Sequence, residues 1–199
     1  MAEKSKIQII SEIIESRRTI VPEIMNGKII PDQIVKEILS AANWAPTHGH
    51  TEPWRFVVFS PETKDKFKET HATMYKKVSS EKGDFQEINF EKIRNRANNA
   101  SHVIAIVMKR GDNPKIPEIE EIAATAAAVQ NILLSAHAHG VACYWGSGGM
   151  TYHPEMKKLL GYEEQDKVMG LLFMGYTDQT EIKGKRRTEI EDKITWINK

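Results

Sequence analysis

Ala45-Pro46-Thr47-His48-Gly49-His50-Thr51-Glu52-Pro53-Trp54 is the stretch from which the architecture is read. Two prolines, a glycine and short polar side chains define a loop. Before it, Pro31-Asp32 opens a helix with Ile34, Val35, Ile38, Leu39 and Ala42 on one stripe, ended by Pro46. After it, Trp54 to Phe59 is rich in β-branched and aromatic residues and predicts a strand. The segment therefore joins a helix to a sheet. Loops on a rigid sheet edge often carry binding residues. A plain connection with Trp54 in the core is the other reading.

Toward the N-terminus, Ile7, Ile10, Ile13 and Ile14 predict an amphipathic helix over 6–16, ending around Arg17-Arg18. Toward the C-terminus, Ser60-Pro61-Glu62 starts a charged helix over 62–80. Residues 81–98 are polar and predict a loop, then a helix around Phe90 to Asn98. His102 to Met108 is apolar on both faces and predicts a central strand. Glu118 to His139 is expected to be the longest helix, and Gly140 stops it. Its small-residue run, Ala123 to Ala128, would let another helix or a second subunit approach closely. Val141 to Trp145 and Lys167 to Tyr176 predict two more strands, separated by a short helix from His153-Pro154 to Gly161. Thr188 to Lys199 forms an extended or helical tail. Helices and strands mix without adjacent βαβ units, which predicts an α+β domain and not a doubly wound sheet.

A chain of 199 residues fits one domain with a sizeable core, over residues 1–199. Hydrophobic residues make up 40% and charged residues 28%, as in ordinary globular chains. A net charge of +1 argues against nucleic-acid or membrane binding driven by bulk charge. Cys143, the lone cysteine, excludes an intrachain disulfide and suits a reducing cytoplasm. It reads as a small buried side chain and not as a nucleophile. No apolar run is long enough to span a membrane. Lys4, Lys6, Glu12 and Glu15 interrupt the stretch where a secretory signal would be apolar. A soluble cytoplasmic protein is expected, with no nucleic-acid or membrane partner.

Three further segments carry candidate chemistry. Arg17-Arg18-Thr19 offers two guanidiniums and a hydroxyl, which can hold a phosphate or simply solvate a helix end. Lys183-Gly184-Lys185-Arg186-Arg187 is a basic run without interleaved aromatic residues, so a nucleic-acid patch is disfavoured against a phosphate contact or a solvated loop. Tyr144-Trp145-Gly146-Ser147-Gly148-Gly149 follows a strand. Its glycines allow backbone N–H groups close to a flat or anionic ligand, or make an ordinary turn. His48/His50 and His137/His139 do not match a strong zinc spacing, and no metal site is expected. G-x-x-x-x-G-K-[ST], G-x-G-x-x-G and G-x-S-x-G are all absent, which disfavours an ATPase, a Rossmann dehydrogenase and an α/β-hydrolase.

Taken in order, these four segments resemble the nitroreductase family over nearly the whole chain, from about Ile7 to Trp196. Ala45-Pro46 to Pro53-Trp54 resembles its A-P-loop-x-P-W pattern, and Arg17-Arg18-Thr19 its R-R-[ST]. Trp145-Gly146-Ser147-Gly148 resembles its W-x-S-G turn, and Lys185-Arg186-Arg187 its K-x-R. The resemblance, closest to the compact NAD(P)H nitroreductases, implies an α+β homodimer. Its central, mainly antiparallel sheet would be flanked by helices, with flavin mononucleotide (FMN) at the subunit interface. A C-terminal tail, about 177–199, would complete the site or the dimer.

By resemblance, Arg17, Thr19, Lys185 and Arg187 contact the FMN phosphate, and Arg18 lies nearer the ribityl chain and ring. There it would stabilise a reduced, anionic flavin. His48 would lie beside the flavin, and Trp145, Gly146, Ser147 and Gly148 would border the ring from the other subunit. Glu52 departs from the Gln or Asn of many relatives. Ser135 to Gly140 matches a region with nicotinamide contacts in some relatives. The implied function is ping-pong electron transfer from NAD(P)H to an electron-poor acceptor such as a nitroaromatic or quinone. The flavin would carry the chemistry without a catalytic side chain. Relatives with dehalogenating, enone-reducing or flavin-fragmenting reactions, and a flavin-binding sensor or storage module without turnover, are the alternatives. Residues 81–98 carry no sharp family motif, and acceptor choice is expected to lie there.

Overall fold

His102–Met108 (β2) is buried at every position and pairs on both sides, antiparallel to Trp54–Phe59 (β1) and to Lys167–Gly175 (β4). Ala142–Gly146 (β3) pairs antiparallel with the outer side of β4, giving the order β1-β2-β4-β3. The computed structural model describes residues 4–180 and 182–198. The expected antiparallel α+β arrangement is therefore observed, with β2 interior as its two apolar faces require.

Side chains alternate across the sheet. Ile104, Ile106, Cys143, Leu172 and Met174 pack on one face against Asp32–Ser40 (α2) and Glu118–Ala138 (α5). Val103, Ala105, Val107, Leu171 and Phe173 pack on the other with Phe67 of Pro61–Lys82 (α3) and with Ala97. Ala97 follows Glu87–Asn95 (α4). The connection after β3 contains a short helix, Pro154–Leu159 (α6).

The N-terminal helix, Lys6–Ser16 (α1), starts on a capping box between Ser5 and Gln8. None of its residues is buried, and Ile7, Ile9, Ile10 and Ile14 remain exposed.

Two sequence expectations are corrected. The longest helix is α3 with 22 residues, one more than α5, because it runs on to a left-handed cap at Gly83, φ 73°. α4 begins at Glu87, ahead of Phe90, and stops short of Asn98, where the Asn98 N–H turns back to the Asn95 carbonyl at 3.0 Å. In the tail, the only regular element among the described residues is a 3₁₀ turn, Glu191–Lys193.

Candidate functional site

Arg17-Arg18-Thr19 leaves α1 and runs along the free edge of β3. Thr19 forms an isolated parallel bridge with Cys143, and the Ile20 N–H donates to the Cys143 carbonyl at 3.0 Å. The arginines thus sit where β3 has no strand neighbour. An open cavity of about 680 Å³ lies there. Arg17, Arg18, His137, Cys143, Thr177 and Lys183 are among its lining residues, and none of the lining residues is acidic.

The two arginines do different things. Arg18 gives its guanidinium to backbone: Nε donates to the Ile182 carbonyl at 3.0 Å, and Nη1 to those of Glu15 and Arg17 at 2.5 and 2.8 Å. A Cβ on Gly184 would lie 2.4 Å from the Arg18 Cζ, so the tail can pass this close only as glycine. Arg17 is half-buried and, among the described residues, its side chain makes no hydrogen bond or ion pair. With Lys183, it is a cation left for a ligand. Both depress the His137 pKa, after the larger effect of burial, so this cavity-lining imidazole is held neutral more readily than usual. His137 Nε2 lies 2.7 Å from Ser16 Oγ. Cys143 is buried and its thiol is pushed up to about 12, chiefly by burial, as expected of a packing residue.

Two residues down β3 from Cys143, the chain enters the glycine turn. Gly146 cannot carry a side chain, since a Cβ would meet the Tyr144 ring at 2.2 Å. Trp145 points its indole inward, with Nε1 donating to the Met169 carbonyl at 3.0 Å above Gly170. Its backbone, not its ring, is presented by the turn. Ser147 and Gly148 are exposed, and the Gly148 carbonyl accepts from Thr151 Oγ1 at 2.6 Å.

The His48 loop lies elsewhere. His48 Nδ1 pairs with the Glu120 carboxylate in the first turn of α5. Gly49, His50 and Glu52 all have positive φ (57°, 54° and 41°), a conformation uncommon for non-glycine residues. Thr47 Oγ1 accepts from the Glu52 N–H at 3.2 Å, and Arg55 Nη1 donates to the Glu52 carbonyl at 2.7 Å. The Glu52 carboxylate is left exposed. Trp54 is in the core, with Nε1 donating to Asn43 Oδ1 at 3.1 Å.

Under the loop, Arg110 pairs with the buried carboxylate of Glu121, which also accepts from the Gly111 N–H at 3.0 Å. This pair fixes the start of α5, on which His48 rests. Glu120 and His137 are 17 positions apart on that helix, roughly 26 Å at 1.5 Å per residue. Within one protomer, therefore, the sheet edge joins Arg17, Arg18, Thr19 and the 145–148 turn. The His48 loop is at the opposite end of α5. Lys185 and Arg187 are exposed and outside the cavity lining, while Lys183, two residues earlier, is inside it.

Lys183, Ser16 and Thr177 were not expected as lining residues, and His137 was flagged only within Ser135 to Gly140. Lys183 stood in the basic run already singled out. Ser16 and Thr177 carry no local signal and are assembled only by the sheet edge. Among the described residues no group of three potential metal ligands occurs. Nor is any helix among them long and apolar enough to cross a membrane.

The nitroreductase family model matches residues 14–176. The chain belongs to the nitroreductase family. It is 29% identical over 188 residues, covering 94% of this chain and 93% of the relative, to "Putative NAD(P)H nitroreductase YfhC" of Bacillus subtilis. Among solved structures it superposes on a nitroreductase-like family protein from Bacillus cereus with a TM-score of 0.79 and 27% identity, covering 100% of this chain and 99% of that one. It shares the fold of the FMN-dependent nitroreductase NfnB from Mycobacterium smegmatis, solved in complex with NADPH (TM-score 0.74, 19% identity, 98% and 100% coverage).

Proposed function

We propose that this chain is an FMN-dependent oxidoreductase that moves electrons from NAD(P)H to an electron-poor small molecule, such as a nitroaromatic or quinone, in a ping-pong cycle. One observation carries the reading: the cavity on the β3 edge, lined by Arg17, Arg18 and Lys183 without a carboxylate, suits a phosphate. When bound, FMN supplies the hydride chemistry, so no catalytic side chain is required. Family membership and the FMN-dependent fold neighbour solved in complex with NADPH support the same cofactors.

The residues divide the work as follows. Arg17 offers a free guanidinium to the phosphate, and Lys183 adds a second charge. Arg18 straps the tail segment 182–184 over the cavity, a positioning role in place of the ring contact the resemblance implied. Ser147 and Gly148 offer an exposed backbone to the ring end. Thr19 bridges to Cys143 on β3, the strand that leads into this turn, which supports one protomer holding both. We therefore assign the turn to the same protomer, where the resemblance had implied the other subunit.

His48 is then too far along α5 to reach that FMN, and the homodimer supplies it: the partner's loop faces the ring. The exposed isoleucines of α1 and the exposed Trp196 and Ile197 are apolar surface that such a dimer would cover. The test is light scattering together with flavin content. A flavin-bound dimer is expected, and a stable FMN-bound monomer would overturn the shared site.

A further inference from the structure

On the sheet face opposite α5, a second cavity of about 390 Å³ lies between α3, α4 and the turn after β3. Phe67, Tyr75, Ile93, Leu171 and Phe173 give it aromatic and apolar walls. None of its lining residues is acidic, while Lys68, Lys92 and Arg96 all line it. Lys68 is already engaged, by Asp65 at 2.9 Å and Asn98 at 2.6 Å. Arg96 stacks over the Tyr144 ring at 4.7 Å, and its ion-pair partner Glu23 stands 3.7 Å away. Glu69 and Glu91, on the same two helices, are both taken by Arg94. Lys92 is exposed and, among the described residues, has no ion-pair or hydrogen-bond partner.

His71 adds a donor. It is only 6% exposed, and its Nε2 accepts from the Met150 N–H at 2.8 Å, which leaves the proton on Nδ1. Nδ1 has no protein partner among the described residues. His71 itself lines the cavity. Burial holds this imidazole neutral, with its pKa pushed down to about 4.

We infer that this cavity is the acceptor site and is built for a flat aromatic ring carrying one anionic group, such as an aromatic carboxylate. The ring lies against Phe67 and Phe173. The anion meets Lys92 and the His71 Nδ1–H. Arg96, fixed on Tyr144, adds a positive field at the floor. The inference rests on the flavin reading above, because Gly146 and Gly148 of the turn assigned to the flavin ring also line this cavity.

The test compares 4-nitrobenzoate with its neutral isostere 4-nitrobenzamide on FMN-loaded wild type and Lys92→Gln. Lys92 is exposed and unpaired, so the variant should fold normally. Wild type should show the lower KM for the carboxylate. Lys92→Gln should raise that KM roughly three- to tenfold, with kcat and the benzamide KM unmoved. Equal KM values in both proteins would overturn the inference and leave the oxidoreductase reading standing. Calorimetry with benzoate, which is not reduced, separates the two. Lys92-dependent benzoate binding in a protein that oxidises NAD(P)H with neither nitro compound would uphold the ligand class and sink the flavin reading.

Discussion

Arg18 Nε donates to the carbonyl oxygen of Ile182 at 3.0 Å, joining two residues 164 positions apart. The contact brings the chain's two basic ends to one cavity, and Gly184 is small because Arg18 lies against it. Gly184→Ala should displace the guanidinium, free the tail and weaken FMN retention several-fold, with global stability changed by less than about 1 kcal/mol. Fluorescence titration with FMN, alongside limited proteolysis of the tail, measures both effects. Unchanged affinity would remove the strap from the cofactor site.

Arg17 is a half-buried cation of the β3-edge cavity whose side chain makes no hydrogen bond or ion pair among the described residues. Its replacement by alanine should cost one charge-assisted phosphate contact, about 1.5–3 kcal/mol, or roughly 10- to 150-fold in FMN affinity. Lys183→Ala should cost less, because that side chain is exposed. Loss on Lys185→Ala in place of Lys183→Ala would restore the assignment drawn from the sequence motif.

His71 makes stability depend on pH. Its pKa is lowered to about 4 by burial, against an ordinary value of 6.5. Between these values the unfolded chain takes up a proton that the folded chain refuses. The contribution is therefore intact above about pH 6.5 and is lost progressively as pH falls toward 4, by about 3 kcal/mol at most. Urea midpoints at pH 7 and pH 5 should drop in wild type and drop less in His71→Gln. Parallel behaviour in the two proteins would contradict the assignment.

Glu121 is buried and faces Arg110. Glu121→Ala should destabilise the fold by about 3–5 kcal/mol, because it strands a partly buried guanidinium. It should also loosen the His48 loop, since the Gly111 N–H and the start of α5 lose their anchor. Glu121→Gln, which keeps a hydrogen-bond acceptor, should cost less. Thermal unfolding and hydrogen exchange at residues 47–52 measure the two effects.

The apolar run at His102–Met108 and the Pro-bounded loop before Trp54 were enough to place the strands, because burial and turn chemistry are local signals. Arg17, Arg18 and the glycine turn were legible for the same reason. That the 145–148 turn lies on the same sheet edge as Arg17, with the His48 loop at the far end of α5, was not legible. It rests on the Thr19–Cys143 bridge and on the length of α5. The inward turn of Trp145 was hidden too, since it depends on Gly170, 25 residues further on. The substitution of Lys183 for Lys185 at the cavity follows from where the Arg18 strap grips the tail. The paired role of His48 with Glu120 needed the packed end of α5.

The most direct test of the account is an anaerobic stopped-flow trace of the FMN-loaded protein mixed with NADPH or NADH. The flavin absorption should bleach, and a nitroaromatic or quinone added afterwards should restore it without nucleotide present. A bound flavin that neither nucleotide bleaches would contradict it.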